Sequence, residues 1–156
     1  MSNILSIGDI LEISCEQGTG YFSYAGQHSW LGDAIWVVPE IFTTARSDWS
    51  TLFDHSGYFT FYPVHAALRQ KLIRKVGYAI EAMRPVPTLV RTAVNKDEAG
   101  RVVCWLITDG AARTPRKDAE LSAAERSLPI GAIWNHKLLC ERLEQQWKPE
   151  SESRPA

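Results

Sequence analysis

Cys15 is the side chain near the amino terminus with the clearest chemical potential. A thiol can act as a nucleophile where a neighbouring histidine, such as His28, lowers its pKa. However, Cys15 falls on the same side of an alternating pattern as Leu11 and Ile13, which is the position of a buried thiol in a half-buried strand. The three cysteines are odd in number and form no C-x-x-C pair, so the sequence predicts buried thiols rather than a disulfide framework or a zinc site.

The segment Gly18-Thr19-Gly20 is a second candidate, because glycine-rich loops can cradle phosphate. It lacks the lysine of a Walker loop and the third glycine of a dinucleotide loop, and an aromatic segment follows it, so a hairpin turn is predicted. No G-x-S-x-G motif occurs either. The sequence therefore predicts no catalytic residue, no cofactor and no metal. The histidines show no metal-ligand spacing: His28, His55, His65 and His136.

Acidic and aromatic residues overlap in the first half of the chain. Twelve of the sixteen aromatic residues lie between Tyr21 and Tyr62, and alternation along strands should leave some of them exposed beside carboxylates. Exposed rings rimmed by carboxylates suit a protein interface with a basic partner. The alternative is that nearly all twelve belong to the core. The candidate partner-binding residues are Trp30, Asp33, Glu40, Asp48, Trp49 and Asp54.

Charge is segregated along the chain although the net charge is only -1. Residues 1–54 hold seven acidic residues against Arg46 alone, a charge of -6, whereas residues 55–117 carry +7. If this segregation persists in the fold, one surface is acidic and another is basic. Nucleic-acid binding is disfavoured, because a solvated face of an extended segment also accounts for the cations of the middle third. A nucleic-acid patch would use Arg69, Lys71, Arg74 and Lys75, with Tyr78 as the nearby stacking group.

Most of the predicted elements are strands, and a helix ends the fold. Asn135 is predicted to cap that helix, with Leu139, Leu143 and Trp147 as its apolar stripe. The other predictions are strands at 10–16, 21–25, 33–38, 58–64 and 73–80, a hairpin of 88–94 with 102–108, a short helix or structured loop within 43–57, one or two helical turns within 66–72, and a surface segment at 110–128.

These elements predict one α+β domain over residues 1–147 and a flexible tail over 148–156. The expected architecture is a strongly bent, mainly antiparallel β-sheet, or a partly closed barrel, with the C-terminal helix packed on it. The amino terminus lacks the basic flank and long apolar run of a secretion signal, and no apolar run is long enough to span a bilayer. A cytoplasmic location without membrane contact is expected.

Three segments resemble the immunity protein 26 family of bacterial polymorphic toxin systems. They are GDILEI at 8–13 with the glycine and aromatic strand that follows, FYPVHAALRQKLIRKVG at 61–77, and LPIGAIWNHKLLCERLEQQW at 128–147. The resemblance implies an antitoxin used in bacterial competition, a toxin inhibitor that acts through protein–protein interaction and catalyses no reaction. It supplies no binding residues, because immunity surfaces vary with their toxins.

The predicted function is therefore an immunity protein that binds a cognate toxin domain with a basic surface and occludes the toxin's active or binding surface. Two alternatives stay open. One is a β-barrel-like module that binds nucleic acid or a small ligand on its aromatic strands. The other is a hydrolase whose catalytic pair is scattered in sequence, which a perturbed carboxylate in a pocket, or Cys15 beside His28, would favour.

Overall fold

A computed structural model describes residues 4–54 and 56–153, which form two antiparallel sheets and four short α-helices. The strands are β1 Asp9–Cys15, β2 Gly18–His28, β3 Gly32–Val37, β4 Tyr58–Phe61, β5 Ile73–Tyr78, β6 Val90–Lys96, β7 Val102–Thr108 and β8 Arg113–Lys117. The helices are α1 Trp49–Leu52, α2 Val64–Arg69, α3 Ala123–Arg126 and α4 His136–Glu144, with 3₁₀ turns at Ile80–Ala82, Asp118–Glu120 and Pro149–Ser153.

The larger sheet has the strand order β4-β3-β2-β1-β5, and its outer strands β4 and β5 do not pair with each other. The predicted α+β class with a mainly antiparallel sheet is confirmed, and the sheet stays open rather than closing into a barrel. The prediction of a turn at Gly18-Thr19-Gly20 is wrong, because Cys15 already pairs with Gly18 and all three residues belong to β2. Glu16 and Gln17 form the turn, and Gly20 lies within β2.

Both faces of the larger sheet are covered. On one face Leu11, Phe22 and Ile35 pack with residues of α4 into the main core. On the other face, Ile10 and Tyr21 pack beneath the segment 38–53 and the turn that follows β5. Neighbouring residues of β1 therefore enter two different apolar clusters, whereas the sequence pattern predicts a strand buried on one face.

Helix α4 begins where the sequence predicts. Asn135 Oδ1 accepts a hydrogen bond from the Leu138 backbone N–H at 2.8 Å, so the N-cap is confirmed. Leu139, Leu143 and Trp147 are all buried in the main core. Helix α4 approaches the sheet closely, because a Cβ added at Gly20 would lie 2.6 Å from a methyl carbon of Leu143.

The smaller sheet has the order β6-β7-β8, and the predicted surface segment at 110–128 is exposed or half-buried except at Leu121. That segment contains the strand β8, which sequence analysis missed because all five of its residues are polar or proline and all are exposed. It also supplies core residues. Trp105 is fully buried, packs in one cluster with Leu121 and Leu128, and donates its indole N–H to Asp118 at 2.9 Å.

The residues after α4 make defined contacts as far as the structure describes them. Pro149 is buried, and its carbonyl accepts a hydrogen bond from the Arg91 guanidinium. The indole N–H of Trp147 donates to Glu152 at 3.0 Å, and Arg142 lies 3.5 Å from the same carboxylate. Of the predicted tail at 148–156, residues 154–156 lie outside the described residues. Within residues 4–54 and 56–153, no helix is long and apolar enough to cross a membrane.

One cysteine prediction is wrong. Cys15 at the end of β1 and Cys140 on α4 form a disulfide, with their Cα atoms 5.5 Å apart, and Cys104 remains a free thiol. The two cysteines are 125 residues apart in sequence, so their spacing carries no local signature. The packing of α4 across the end of the first hairpin brings them together.

Candidate functional site

A cleft of about 590 Å³ lies between the β2–β3 turn and the outer face of the smaller sheet. We call it the Trp30 cleft, because Trp30 from that turn forms one of its walls. The cleft is lined by segments of both sheets that are far apart in the sequence, and it opens to solvent. Its other principal lining residues are Thr92, Leu106, Thr108, Gly110 and Arg113.

Trp30 is exposed yet held in place. Its side chain is 45% exposed, and its ring centroid lies 5.7 Å from that of His28, which is itself buried and packs edge-on against Phe61. On its other side the indole rests on the backbone of Gly110, where a Cβ would lie 2.8 Å from ring atom Cδ1. The ring therefore has few alternative positions.

The loop that carries Gly110 is fixed by its own hydrogen bonds. Thr108 Oγ1 accepts from the Gly110 N–H at 2.9 Å, and Asp109 Oδ1 accepts from the N–H groups of Ala111 and Ala112 at 2.9 and 2.8 Å. The bonds from Ala111 and Ala112 hold the pKa of the Asp109 carboxyl below its ordinary value. The wall opposite the Trp30 turn is consequently preorganised.

The remaining lining is mixed, since Leu106 and Arg113 lie there with Ser29, Thr92 and Asp109. Leu106 is half-buried, and Thr92 from β6 lies beside it in the sheet. Arg113 at the start of β8 is exposed, and its guanidinium makes no hydrogen bond or ion pair within residues 4–54 and 56–153. The Trp30 cleft thus offers an aromatic wall, the apolar side chain of Leu106 and one available guanidinium.

Asp33, a predicted partner-binding residue, is engaged inside the protein. Its carboxylate lies 3.0 Å from His65 Nδ1 and also accepts from the side chain of Gln27. The Asp33 side chain is 8% exposed, whereas that of His65 is 42% exposed. The Tyr24 ring meets the imidazole edge-on at 5.9 Å. Asp33 therefore positions His65 rather than presenting an open carboxylate.

The other predicted carboxylates lie elsewhere. Glu40, Asp48 and Asp54 are exposed in the segment between β3 and β4, whereas Trp30 and Asp33 lie near the start of β3. Asp48 is bound by Arg46 at 2.6 Å, and this hydrogen bond lowers the pKa of Asp48. The six predicted residues therefore fall into two groups rather than one continuous face.

Trp49 belongs to the second group and serves mainly as a packing residue. It is half-buried at the start of α1, and its ring centroid lies 5.5 Å from that of Tyr21. Most of the twelve aromatic residues behave in the same way. Eight are buried, Trp36, Trp49 and Phe59 are half-buried, and Trp30 alone among the twelve is exposed.

The charge segregation seen in the sequence is partly cancelled by strand pairing. Because β5 pairs with β1, Arg74 binds Glu12 at 2.8 Å and Lys75 binds Asp9 at 2.9 Å. Two cations of the candidate nucleic-acid patch are therefore matched by carboxylates of the acidic first third. This pairing weakens both the basic patch and the acidic face that the sequence predicts.

The candidate nucleophile does not meet its candidate base. Cys15 is disulfide-bonded and pairs with Gly18 at one end of β2, whereas His28 occupies the other end. The ten residue steps from Gly18 to His28 correspond to about 33 Å of extended strand. His65 and Gly110 carry no sequence signal for a site, because their surroundings arise from contacts between distant segments.

Comparisons with models of known protein families, with curated proteins and with solved structures found no significant match. The resemblance to the immunity protein 26 family therefore rests on the sequence segments alone.

Proposed function

We propose that this chain is an immunity protein that binds a cognate bacterial toxin and neutralises it by covering the toxin's active or binding surface. The family resemblance of the three sequence segments supports the proposal. The structural observation that carries it is the exposed, fixed indole of Trp30 at the edge of a cleft. Tryptophans in such positions are enriched among residues that dominate protein–protein binding energies.

In the proposed complex, an apolar side chain of the toxin enters the Trp30 cleft and packs between the indole and Leu106. Because the Gly110 loop and the Trp30 ring are already held, binding loses little conformational entropy on this side of the interface. Arg113 lies at the cleft and can orient a carboxylate or a backbone carbonyl of the toxin. Neutralisation is chiefly steric, because the bound immunity protein blocks access to the toxin surface.

Electrostatics has a supporting role in this proposal. Four of the seven acidic residues within 1–54 have a basic side chain as a partner: Asp9, Glu12, Asp33 and Asp48. Glu40 and Asp54 remain exposed and can attract a basic toxin over a distance, without belonging to the Trp30 cleft. Long-range attraction raises the association rate, whereas close packing at Trp30 limits dissociation.

The decisive experiment is co-expression with the toxin domain encoded beside this chain. Growth rescue together with a co-purifying complex is expected, and Trp30→Ala is expected to weaken the complex by about tenfold or more. Tyr78→Ala is the matched control, because Tyr78 is a similarly exposed aromatic residue on the edge strand β5. Loss of binding in Tyr78→Ala but not in Trp30→Ala would move the interface to β5. Absence of both rescue and complex would contradict the proposal.

The Asp33–His65 pair favours hydrolase activity as a second candidate function. A carboxylate that accepts from His Nδ1 leaves Nε2 available, which is how acid–histidine pairs activate a nucleophile or a water molecule. An enzymatic antidote would rescue growth without forming a stable complex, and His65→Gln would abolish that rescue. Rescue by a stable complex that His65→Gln leaves intact would exclude a catalytic role for this pair.

A further inference from the structure

The Cys15–Cys140 disulfide forms part of the wall of a second cleft, of about 500 Å³, which we call the disulfide cleft. The bridge joins the end of β1 to the middle of α4. The cleft is open to solvent and large enough for a peptide thiol that is a few residues long. Its charged and titratable lining residues are Glu16 from the first turn and His136, Lys137, Glu141 and Glu144 from α4.

The two sulfur atoms have different surroundings. Cys15 is half-buried, whereas Cys140 is 8% exposed, so an incoming group reaches Cys15 more easily. His136 lies one helical turn before Cys140, and its Nε2 atom is 3.9 Å from Cys140 Sγ. His136 Nδ1 has no hydrogen-bond partner within the described residues. A protonated imidazole at this distance stabilises a thiolate on Cys140.

We propose that this disulfide is a site of thiol–disulfide exchange with low-molecular-weight thiols, with Cys15 as the attacked sulfur and Cys140 as the leaving group beside His136. The incoming thiolate forms a new S–S bond with Cys15 as the Cys15–Cys140 bond breaks. The electron pair of the broken bond goes to Cys140 Sγ, which takes a proton from His136 Nε2. The product is a mixed disulfide on Cys15 and a free thiol at Cys140.

A second molecule of the small thiol completes the reduction. Its thiolate attacks the small-molecule sulfur of the mixed disulfide and releases Cys15 as a thiolate, which is then protonated by solvent. Two small thiols are thereby oxidised to their disulfide, and the protein bridge gains two electrons and two protons. Compartments that are kept reducing by such thiols would open the bridge in this way.

Opening the bridge changes how firmly α4 is held. The disulfide closes a loop with a sequence separation of 125, so its loss should lower the thermal midpoint by about 10 °C. Leu139 and Leu143 keep their apolar contacts with the sheet, so the reduced chain is expected to remain folded at room temperature. The exchange therefore acts as a reversible control of stability.

The test uses the full chain with Cys104→Ser, which removes the one thiol that is free in the described structure. The folded protein is incubated with reduced glutathione, quenched with acid and mapped by mass spectrometry. The expected intermediate carries glutathione on Cys15. Glutathione found on Cys140, or no exchange without unfolding, would overturn the proposal. The mapped protein retains His136, so this test remains valid even if a His136 variant fails to fold.

The role of His136 is tested by exchange rates. His136→Gln is expected to slow formation of the mixed disulfide by about tenfold or more at neutral pH. His65→Gln is the matched control, because His65 contacts Asp33 and does not line the disulfide cleft. Equal rates in His136→Gln and the unsubstituted protein would contradict the assignment of His136. A similar loss in His65→Gln would show that the effect is not specific to the cleft.

Discussion

The indole of Trp30 rests directly on the backbone of Gly110, so a turn of the larger sheet is seated on a loop of the smaller one. A Cβ at Gly110 would lie 2.8 Å from Trp30 Cδ1, closer than carbon atoms normally approach. Gly110 also has a φ of +100°, which glycine adopts without strain. These two requirements make Gly110 the residue that sets the position of the aromatic wall.

Gly110→Ala is therefore expected to displace Trp30 and weaken toxin binding by about tenfold or more, with a loss of about 1 kcal/mol or more in the free energy of unfolding. Titration calorimetry and chemical denaturation measure the two effects. Gly100→Ala is the matched control, since Gly100 has a φ of +80° but no atom within 4 Å of an added Cβ. A similar loss of binding in both variants would show that backbone strain, not Trp30, is responsible.

Charge reversal tests the proposed attraction to a basic toxin. The triple variant Glu40→Lys, Asp48→Lys and Asp54→Lys is expected to lower the association rate constant by about threefold to tenfold and to leave the dissociation rate nearly unchanged. Stopped-flow or surface-binding kinetics at two salt concentrations provide the measurement. An association rate that is independent of both charge and salt would mean that the toxin surface is not basic.

The two ion pairs between β1 and β5 should differ in strength. Lys75→Ala leaves the Asp9 carboxylate, which is 2% exposed, with only the Ser6 N–H as a partner among the described residues, and should cost about 1–3 kcal/mol. Arg74→Ala is the comparison, because Arg74 is 72% exposed and its pair with Glu12 should contribute about 0–1 kcal/mol. Urea unfolding gives both values, and equal costs would contradict this ranking.

Two buried tyrosines should make the protein sensitive to alkali. The hydroxyls of Tyr58 and Tyr62 have no hydrogen-bond partner among the described residues, and burial raises the pKa of Tyr62 to about 12 and that of Tyr58 further. Because the unfolded tyrosine ionises near 10.0, the folded state is favoured by its neutral buried tyrosines. Their contribution to the free energy of unfolding is complete below pH 10 and is lost as the pH rises towards 12.

The double variant Tyr58→Phe and Tyr62→Phe is therefore expected to unfold at a higher pH than the unsubstituted chain. At pH 7 it should be as stable or up to about 1 kcal/mol more stable, because two unpaired buried hydroxyls are removed. Circular dichroism across an alkaline titration checks the first expectation, and chemical denaturation checks the second. An unchanged alkaline midpoint would show that other groups control unfolding at high pH.

The 3₁₀ turn after α4 should contribute to stability through Arg91. This guanidinium is fully buried over the Trp105 ring at 4.1 Å and donates to the carbonyl of Pro149. A chain that ends at Lys148 leaves the donating Arg91 nitrogen with the Arg126 carbonyl as its remaining acceptor and also removes the Glu152 contacts of Trp147 and Arg142. Its free energy of unfolding should therefore fall by about 1–3 kcal/mol relative to a chain that ends at Ser153. Equal stability of the two chains would contradict a structural role for this turn.

Local patterns predicted the first hairpin and α4 because their causes are local. The alternation of Leu11 and Ile13 identifies β1, and the Asn135 cap together with the spacing of Leu139 and Leu143 identifies α4. Strand β8 escaped prediction because its polar sequence pairs on one side only, with β7, and contributes no buried residue. Propensity and periodicity cannot identify such a strand, since its position depends on its partner.

The site was harder to predict because its parts come from separate segments. The sequence predicts Trp30 as a binding residue, but Gly110 and Arg113 reach it only because the smaller sheet lies against the β2–β3 turn. The sequence predicts Asp33 as a binding carboxylate, yet in the fold Asp33 contacts His65. The spacing of these two residues in the sequence does not predict that contact. The Cys15–Cys140 bridge depends in the same way on the docking of α4.

The segment 129–134 covers one edge of each sheet and so protects both sheets against aggregation. It pairs with the outer strand β4 through the bridge of Phe61 with Ile133, and with β6 through the bridge of Arg91 with Ile130. Exposed strand edges are templates for fibril growth, and this segment occupies one edge of each sheet. The remaining outer strands are β5, with Arg74 and Lys75, and β8, whose RTPRK sequence combines proline with positive charge, so both resist edge-to-edge assembly into fibrils.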